Sequence, residues 1–332
     1  MKNQRRMSSA IPFLAVCLAF LVVILGAYTR ATDAGLGCPD WPGCYHRLIA
    51  PDTPNQIQQV RTHFPNAQVH VTKAWTEMIH RYMAGALASL IIFIAVLALI
   101  KRKTRGQPLL IPFLLVASVV FQALLGMWTV TLHLEPQIVL GHLLGGMTIL
   151  ALLWWLFLYL RVQPACRKSA KGLKVWAALG LFIVALQIAL GGWTSANYAA
   201  LICPSFPYCN MQMFFPNSNF PAAFNLFAHF SMVHLQEAAL ITIQMTHRFG
   251  ALVTGIYVGL LSIYLIFLGK TTTFRWLGFF ILLFLCLQIS LGIMNVMLLL
   301  PLTIAVAHNA VAALLLLSLV TLNYSVFRRS LV

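Results

Sequence analysis

The chain contains the sequence GAYTRATDAGLGCPDWPGC at Gly26–Cys44 and repeats it, 165 residues later, as GGWTSANYAALICPSFPYC at Gly191–Cys209. Nine of the nineteen aligned positions are identical, including both cysteines and both prolines. At nearly the same offset, two further motifs occur twice: MIHR at Met78–Arg81 and MTHR at Met245–Arg248, then FQALLG at Phe121–Gly126 and LQISLG at Leu287–Gly292. An internal repeat of this kind indicates a duplicated architecture, so each half is expected to hold an equivalent set of elements.

The composition indicates an integral membrane protein. Apolar residues make up 61% of the chain and charged residues only 8%, too few for a soluble protein of this size. Runs of about 18 or more mostly apolar residues predict spanning helices, because about 20 residues cross the hydrocarbon core. Eight such runs occur, at approximately 11–29, 78–100, 109–131, 137–160, 175–194, 243–268, 277–299 and 302–326. The first run is too long for a signal peptide and has no small-residue cleavage site, so we expect it to be retained.

The net charge of +16 follows the alternation of these spans. Sixteen of the 22 Lys and Arg residues lie at the two termini and in the connections 101–105, 161–174 and 270–275, which share one face if the spans alternate. All six acidic residues belong to the opposite face, where they balance the remaining cations. This positive-inside pattern predicts that both termini are cytoplasmic. The excess charge is therefore a topology signal and indicates no nucleic-acid partner.

Each half contains four predicted spans, so the second half is expected to enter the membrane in the same orientation as the first. We predict an all-α integral membrane protein of eight transmembrane helices, arranged as two parallel-repeat four-helix bundles. The predicted domains are an N-terminal bundle at 1–160, a cytoplasmic linker at 161–174 and a C-terminal bundle at 175–332. A further helix is expected around Phe224–Thr242, at the outer surface before the sixth span.

Two cysteine pairs lie in the long outer connections. Cys38 and Cys44 flank the residues PDWPG, and Cys203 and Cys209 flank PSFPY. Paired cysteines outside the cytoplasm are expected to form disulfides, because that compartment is oxidising. The prolines favour a tight loop, so we interpret both pairs as structural, and a redox role for Cys38–Cys44 stays open. Neither pair has nearby histidines at the spacing of a four-ligand zinc site.

Four of the ten histidines lie within the predicted spans and form two matched couples: His80 with His142, and His247 with His308. Strongly coordinating side chains inside a membrane are rare and mark functional sites. All four occur near the outer end of an even-numbered span, and such helices run in the same direction, so each couple can face across its bundle. Two facing imidazoles in a helix bundle are a common way to hold haem iron.

Two different roles for these histidines stay open beside haem binding. A single buried histidine is often satisfied by a neighbouring carbonyl, and a copper or zinc site would need further ligands, such as Met78 and Met245. The occurrence of four histidines at matched depth favours haem. Glycines near them permit the close approach of a second helix or of a flat ring. These are Gly85, Gly126, Gly141, Gly145, Gly146, Gly250 and Gly292.

The halves differ at one charged position. Glu77 precedes His80 by three residues and projects from nearly the same helix face, whereas its counterpart in the second half is the neutral Gln244. This difference suggests proton or cation-stabilising chemistry in the first half and cofactor binding in the second. The alternative is a solvated carboxylate near a helix N-terminus. Arg81 and Arg248 are candidates for contacts to haem propionates, or interfacial arginines that reach water.

The chain resembles the haem A synthases in two motifs, TRATDAGLGCPDWPGC at Thr29–Cys44 and EMIHR at Glu77–Arg81. The likeness extends over the eight spans, the duplication, the histidines and the cysteine pairs. It implies a membrane oxidoreductase that converts the C8 methyl group of haem O to a formyl group by successive hydroxylations, which gives haem A for cytochrome oxidase. It also implies haem b as the cofactor and haem O as the substrate.

The resemblance implies roles for individual residues as well. The substrate haem would bind between His80 and His142, with its farnesyl tail leaving sideways into lipid. Haem b would bind between His247 and His308, and Glu77 corresponds to the catalytic acid. As a mechanistic hypothesis, the haem b of the second half would pass electrons over the distance between the bundles.

The expected setting is the bacterial inner membrane. Haem O would come from an upstream farnesyltransferase, whereas the electron donor and acceptor are unknown and a homo-oligomer is one of the open arrangements. Two other functions stay open: a quinol-linked b-type haem electron-transfer protein, which would hold two permanent haems, and a haem transporter, which would need discontinuous helices. Neither accounts for the neutral counterpart, Gln244, of Glu77.

Overall fold

A computed structural model describes residues 7–65, 68–104, 106–161, 171–209, 218–225, 235–269 and 271–328. Within these ranges the regular structure is helical, apart from one isolated antiparallel bridge between Cys44 and Arg47. The helices are α1 (Ala10–Ala31), α2 (Pro54–His63), α3 (Val71–Ile100), α4 (Leu110–Thr131), α5 (Pro136–Arg161), α6 (Lys171–Ala196), α7 (Phe220–Ala223), α8 (Glu237–Leu268), α9 (Thr272–Met297) and α10 (Leu302–Arg328). A 3-10 turn at Ala199–Leu201 follows α6.

Eight of the described helices are long and apolar enough to cross a membrane: α1, α3, α4, α5, α6, α8, α9 and α10. The all-helical class and the number of spans are therefore confirmed. α3 begins at Val71 and α8 at Glu237, several residues before the predicted spans. Their first turns carry polar side chains, which lie outside any apolar run.

The prediction of a separate surface helix around Phe224–Thr242 is wrong at its C-terminal end. There Glu237–Thr242 form the first turns of α8, because no glycine or proline interrupts the chain between Glu237 and the apolar run. Residues 226–234 of this segment lie outside the described ranges. The short helix α7 precedes it and is capped by Asn219, whose side chain accepts a hydrogen bond from Ala222 N at 3.1 Å.

α2, in the first outer connection, is a helix that the apolar pattern does not predict. It begins with a capping box, in which Gln56 N donates to Thr53 Oγ1 and Thr53 N donates to Gln56 Oε1, both at 3.4 Å. Pro54 occupies its first turn, where a missing N–H costs no helical hydrogen bond. A search for apolar runs does not detect a polar helix. The sequence does contain a helix N-terminus motif here, formed by Thr53, Pro54 and Gln56.

The helices form two compact units that divide inside α5, after Leu150. In the second unit, α6 and α9 each pack against both α8 and α10, so these four helices form a closed ring. The end of α5 also belongs to this unit, where Trp154 Nε1 donates to Thr321 Oγ1 at 2.8 Å. The predicted limits at 1–160, 161–174 and 175–332 and the parallel orientation of the halves stay predictions, and residues 162–170 of the linker lie outside the described ranges.

Each unit buries small and branched apolar side chains between its helices. The second unit has a core of fully buried residues, which includes Ala177, Val258, Leu265, Ile281, Leu319 and Leu322. In the first unit, α1 packs against α3 and α3 against α4, and the loop with Cys38 and Cys44 packs onto the start of α3. Large apolar side chains such as Val175 and Phe267 are 70% and 73% exposed, as expected of helices that face lipid.

The duplication extends to unusual backbone conformations. Left-handed residues end equivalent helices at equivalent positions: Asp33 (φ 49°) and Tyr198 (φ 54°), His133 (51°) and Leu299 (58°), and Leu134 (62°) and Leu300 (59°). A left-handed residue other than glycine is strained by about 1–2 kcal/mol, so its recurrence at matched positions reflects the same turn geometry. Cis peptide bonds also recur, at Trp41-Pro42 and at Phe206-Pro207.

Candidate functional site

Each of the four membrane histidines packs its ring against a glycine of the preceding membrane helix. A Cβ atom added to any of these glycines would lie 3.0–3.2 Å from the histidine Cε1 atom, tighter than ordinary packing. The pairs are Gly26 with His80, Gly126 with His142, Gly191 with His247, and Gly292 with His308. At these four positions glycine therefore makes room for an imidazole ring, and not for the backbone of a second helix.

The residue one helical turn before each glycine is a glutamine in three helices out of four. The segments are QALLG at Gln122–Gly126, QIALG at Gln187–Gly191, QISLG at Gln288–Gly292 and VVILG at Val22–Gly26. Comparison of the two halves finds only the copies at Gln122 and Gln288, because Gln187 is matched by Val22. The full motif becomes visible when the four odd-numbered spans are aligned with one another, so the signal for Gln187 and Val22 is present in the sequence.

In the first unit, the rings of His80 and His142 have centroids 6.4 Å apart and planes at 74° to each other. The Nδ1 atoms of both rings are buried and have no hydrogen-bond partner. The amide of Gln122 donates to the backbone oxygen of His142 at 2.6 Å and not to its ring. The His80 ring is hydrogen-bonded to the backbone of Val22, whose side chain is apolar.

In the second unit, side-chain amides reach both imidazole rings. Gln187 Nε2 lies 3.1 Å from Nδ1 of His247 and donates to the His247 backbone oxygen at 3.0 Å. Gln288 Nε2 lies 3.1 Å from Nε2 of His308, whose Nδ1 is buried without a partner.

The geometry of the first couple fits a shared haem iron. Two imidazoles that bind one metal at about 2.0–2.1 Å, with ring centroids about 1.1 Å behind the nitrogens, have centroids about 6.3 Å apart. The separation of 6.4 Å between His80 and His142 matches this value. Buried ring nitrogens without partners also fit, because such groups are costly unless they bind something. Within the described ranges, no three His, Cys, Asp or Glu side chains cluster as a site for a bare metal ion.

Glu77 lies beneath the first cysteine loop and is not solvated, since only 4% of it is exposed. Its Oε2 atom accepts a hydrogen bond from Cys38 N at 2.8 Å, and its Oε1 atom forms an ion pair with Arg81 Nη2 at 2.5 Å. The solvated alternative is therefore wrong, because α3 begins almost two turns before Glu77. In the second unit, Gln244 Nε2 instead donates to Ala200 O at 3.1 Å.

The two arginines that follow the histidines bind the cysteine loops. Arg81 Nη1 donates to the backbone oxygens of Asp40 at 2.9 Å and of Pro42 at 3.2 Å, and also to Gly43 O. Each loop is closed by a disulfide, Cys38–Cys44 in the first unit and Cys203–Cys209 in the second. In each unit an arginine thus fixes its loop to the helix that carries the first histidine.

Arg248 repeats this arrangement in the second unit. Its Nη2 atom donates to Cys203 O at 2.5 Å, and its Nη1 atom donates to Ser205 O at 2.7 Å and to Pro207 O at 3.2 Å. Its Nε atom is buried without a hydrogen-bond partner. Contacts from Arg81 and Arg248 to haem propionates stay a prediction, and such contacts would share the guanidinium with the loop.

Backbone groups of the first loop are organised by Asp40. Its two carboxylate oxygens accept hydrogen bonds from Tyr45 N at 2.6 Å and from His46 N at 2.7 Å. Burial, together with the charges of Asp40 and Glu77, raises the pKa of the Tyr45 phenol, so this side chain stays protonated at neutral pH. The loop is therefore a rigid cover with fixed hydrogen bonds.

Gly37→Ala is expected to lift this loop from α3. A Cβ at Gly37 would lie 2.6 Å from the backbone carbon and oxygen of Lys73 and 2.8 Å from Ala74 N, and backbone atoms cannot move aside. We expect a loss of about 1–3 kcal/mol in the free energy of unfolding of the first unit. The measurements are the thermal unfolding midpoint in detergent and the rate of proteolysis within the loop. The matched control is Gly85→Ala in α3, where an added Cβ meets nothing within 4 Å; equal midpoints for the two variants would contradict the prediction.

Comparison with known proteins places the chain in one family. The model of the cytochrome oxidase assembly protein family COX15-CtaA matches residues 10–320. A curated protein of Shewanella oneidensis named Heme A synthase is 44% identical over 327 residues, which cover 96% of each chain. Proteins of the same name from Neorickettsia sennetsu and Nitrosospira multiformis are 25% and 26% identical, over 92% and 96% of this chain and 95% and 92% of their own. The chain therefore belongs to the COX15-CtaA family of cytochrome oxidase assembly proteins.

Proposed function

We propose that this membrane protein is an oxidoreductase that converts the C8 methyl group of haem O to the formyl group of haem A. Its family and the name Heme A synthase carried by its relatives support this activity. The structural observation that carries the proposal is that both units pack two imidazoles against matching glycines, whereas the buried carboxylate of Glu77 in the first unit is replaced by Gln244 in the second. Two haem sites with one acid fit a substrate site and a cofactor site.

The first unit is proposed to bind haem O and the second to bind haem b. His80 and His142 would hold the substrate iron, at the spacing that two axial imidazoles require. His247 and His308 would hold haem b, with Gln187 and Gln288 in contact with their rings. Haem b supplies one-electron transfer when bound.

Glu77 is the proposed catalytic acid of the first unit. Oxidation of a methyl group removes electrons and protons from its carbon, so positive charge develops there. The Glu77 carboxylate lies one helical turn from His80 and is held in place by Arg81 and by the Cys38 N–H group. A carboxylate that is buried and preorganised stabilises such charge without the cost of reorienting water, and it can accept the proton that leaves.

The charge balance also distinguishes the two units. Glu77 neutralises Arg81 in the first unit, whereas the position of Glu77 is taken by the neutral Gln244 beside Arg248. Among the described residues, Arg248 has only backbone oxygens as hydrogen-bond partners. A haem propionate would supply the missing negative charge, so the second unit is the better site for a permanently bound haem.

The remaining assignments follow from charge and family. We propose the bacterial inner membrane as the location, with both termini in the cytoplasm, because the basic connections share one face. Haem O would reach the first unit from the farnesyltransferase that makes it. The farnesyl chain has no polar groups, so it would remain in the lipid while the porphyrin enters the bundle.

Pigment analysis of the purified protein tests this proposal. The protein is expressed in a host without its own haem A synthase, with and without co-expression of a haem O synthase, and the extracted haems are separated and weighed by mass spectrometry. We expect haem b in both preparations and haem A only when haem O is supplied. Two equivalents of haem b and no haem A would favour a b-type electron carrier, and recovery of unchanged haem O would favour a transporter.

A further inference from the structure

The outer connection that contains the first cysteine loop carries two apolar side chains that the protein does not cover. Leu48 is 81% exposed, more than any other large apolar side chain in the described ranges, and its neighbour Ile49 is 60% exposed. The chain is buried on either side of them, at Tyr45 and at Ala50. Leu48 and Ile49 therefore form a short apolar protrusion, which we call the loop tip.

Fixed contacts hold the loop tip in place. Cys44 N donates to Arg47 O at 2.7 Å, and Arg47 N donates back to Cys44 O at 3.1 Å. The disulfide between Cys38 and Cys44 ties this bridge to the rest of the loop. On the other side of the bridge, the hydroxyl of Tyr82 in α3 donates to Leu48 O. The loop tip is thus preorganised, so little conformational entropy is lost when a partner covers it.

Tyr82 places the loop tip at the edge of the membrane. The hydrocarbon core is about 30 Å thick and a helix rises about 1.5 Å per residue, so about 20 residues cross it. Counted back from Ile100, the last residue of α3 before the basic connection 101–105, about 20 residues reach Arg81. Tyr82 therefore lies at the far boundary of the hydrocarbon, where tyrosine is enriched because its ring is apolar and its hydroxyl polar. Leu48, bonded to that hydroxyl, lies at the same boundary.

The surface of α3 beside the loop tip is a lipid-facing surface. Ile79, Tyr82 and Phe93 are exposed, and their spacings are close to whole numbers of helical turns, so they share one face of α3. An exposed apolar face on a membrane-crossing helix contacts lipid. The hydrogen bond from Tyr82 joins the loop tip to this face, so the apolar surface continues from α3 onto Leu48 and Ile49.

We propose that Leu48 and Ile49 insert into the lipid leaflet on the side of the cysteine loops, and that Tyr82 sets the depth of insertion. Insertion removes two large apolar side chains from water, which is favourable in proportion to the area that they bury. The continuity with the lipid-facing side of α3 identifies acyl chains as the partner. This interaction goes beyond the proposed function and does not depend on it.

Insertion would also stabilise the groups that the loop supplies to α3. Cys38 N donates to the carboxylate of Glu77, and the backbone oxygens of Asp40 and Pro42 accept from Arg81. A loop that is held at one end by the bilayer keeps these contacts closed. The bilayer is thus part of the support for the buried carboxylate.

The first test determines what surrounds the loop tip. The three cysteines outside the disulfides are replaced by serine, Ile49→Cys is labelled with a nitroxide, and the protein is placed in phosphatidylcholine nanodiscs. Power saturation in electron paramagnetic resonance then compares collisions with molecular oxygen, which concentrates in lipid, and with a water-soluble nickel chelate. We expect oxygen to dominate, as for a label at Phe93→Cys on the lipid-facing side of α3. A label at Gln58→Cys, on the exposed side of α2, should show the opposite preference.

Two outcomes of this test would overturn the proposal. Access of the nickel chelate to Ile49→Cys equal to that at Gln58→Cys would place the loop tip in water. Shielding from both reagents would show that a protein surface, such as a second copy of this chain, covers the tip. Leu48→Cys provides an independent reading, and both positions are exposed, so the label is not expected to disturb the core.

The second test removes the contact between the loop tip and α3. Tyr82→Phe copies the second unit, where the matching residue is Phe249, so the ring is kept and only the hydroxyl is lost. We expect the label at Ile49→Cys to become more mobile and its ratio of oxygen to nickel collisions to fall. The matched control is Tyr264→Phe, which removes the hydroxyl of an exposed tyrosine in α8 and should change neither quantity. Unchanged mobility and ratio in the Tyr82→Phe protein would refute the role of Tyr82 in setting the depth.

Discussion

Replacement of Glu77 by glutamine is expected to abolish haem A formation while haem b stays bound. Glutamine keeps the volume of the side chain and can still accept the Cys38 N–H bond, but it loses the charge that pairs with Arg81 at 2.5 Å. Removing a preorganised group that stabilises developing charge costs about 100–1,000-fold in rate. The measurement is the yield of haem A in cells that supply haem O, with the b-type absorption of the same purified protein as the internal reference.

Two control variants separate the loss of the Glu77 charge from other effects of a substitution. Glu237→Gln is the matched control, because it removes an exposed carboxylate at the start of α8 and should leave haem A formation at the wild-type level. Gly37→Ala disturbs the same loop but keeps the carboxylate, so it separates loop docking from charge. Full conversion by the Glu77→Gln protein would discard the catalytic role.

Replacement of His247 or His308 by alanine is expected to remove haem b from the protein. Each substitution deletes one of the two proposed axial ligands and leaves a cavity in the ring of helices α6, α8, α9 and α10. Loss of a ligand should weaken binding by more than the roughly 10–100-fold that an outer partner contributes. The measurement is the b-type absorption and the haem-to-protein ratio after purification, with expression and monodispersity checked by size-exclusion chromatography.

Variants of His80 and His142 test which unit binds the substrate haem and which binds haem b. His80→Ala and His142→Ala are expected to retain the b-type spectrum and to lose conversion of haem O. His63→Ala, on the exposed face of α2, should change neither property. A b-type spectrum that survives in His247→Ala but disappears in His80→Ala would reverse the roles of the two units.

Membrane crossing was predictable because the bilayer imposes a simple rule on sequence. A helix in lipid needs about 20 apolar residues, and the eight runs satisfy this rule without reference to the rest of the chain. The rule does not cover the polar beginnings of α3 and α8. Glu77 is satisfied there by the first cysteine loop, and Gln244 by the backbone of the 3-10 turn after α6, so neither needs water. It does not cover the capped start of α2 either, since that helix is polar.

The candidate site was predictable in its residues and not in its contacts. The repeat identifies His80, His142, His247 and His308, and it exposes the difference between Glu77 and Gln244. It cannot show that Arg81 binds loop carbonyls, because a guanidinium at a membrane boundary has water, lipid and propionates as equally good partners. Asp40 and Arg81 are 41 residues apart in the chain, so no local sequence pattern predicts their hydrogen bond.

The helical class, the number of spans, the duplication and the identity of the four histidines are all readable from the amino-acid sequence. These properties depend on composition and on internal repetition, and both can be measured without knowledge of the fold. The folded chain is needed to show that Glu77 lies in an ion pair beneath the first loop, and that an amide reaches the ring of His247 but not that of His80. Such contacts join helices that are far apart in the chain, and their energies depend on distances of a few tenths of an ångström that no pattern of residues records.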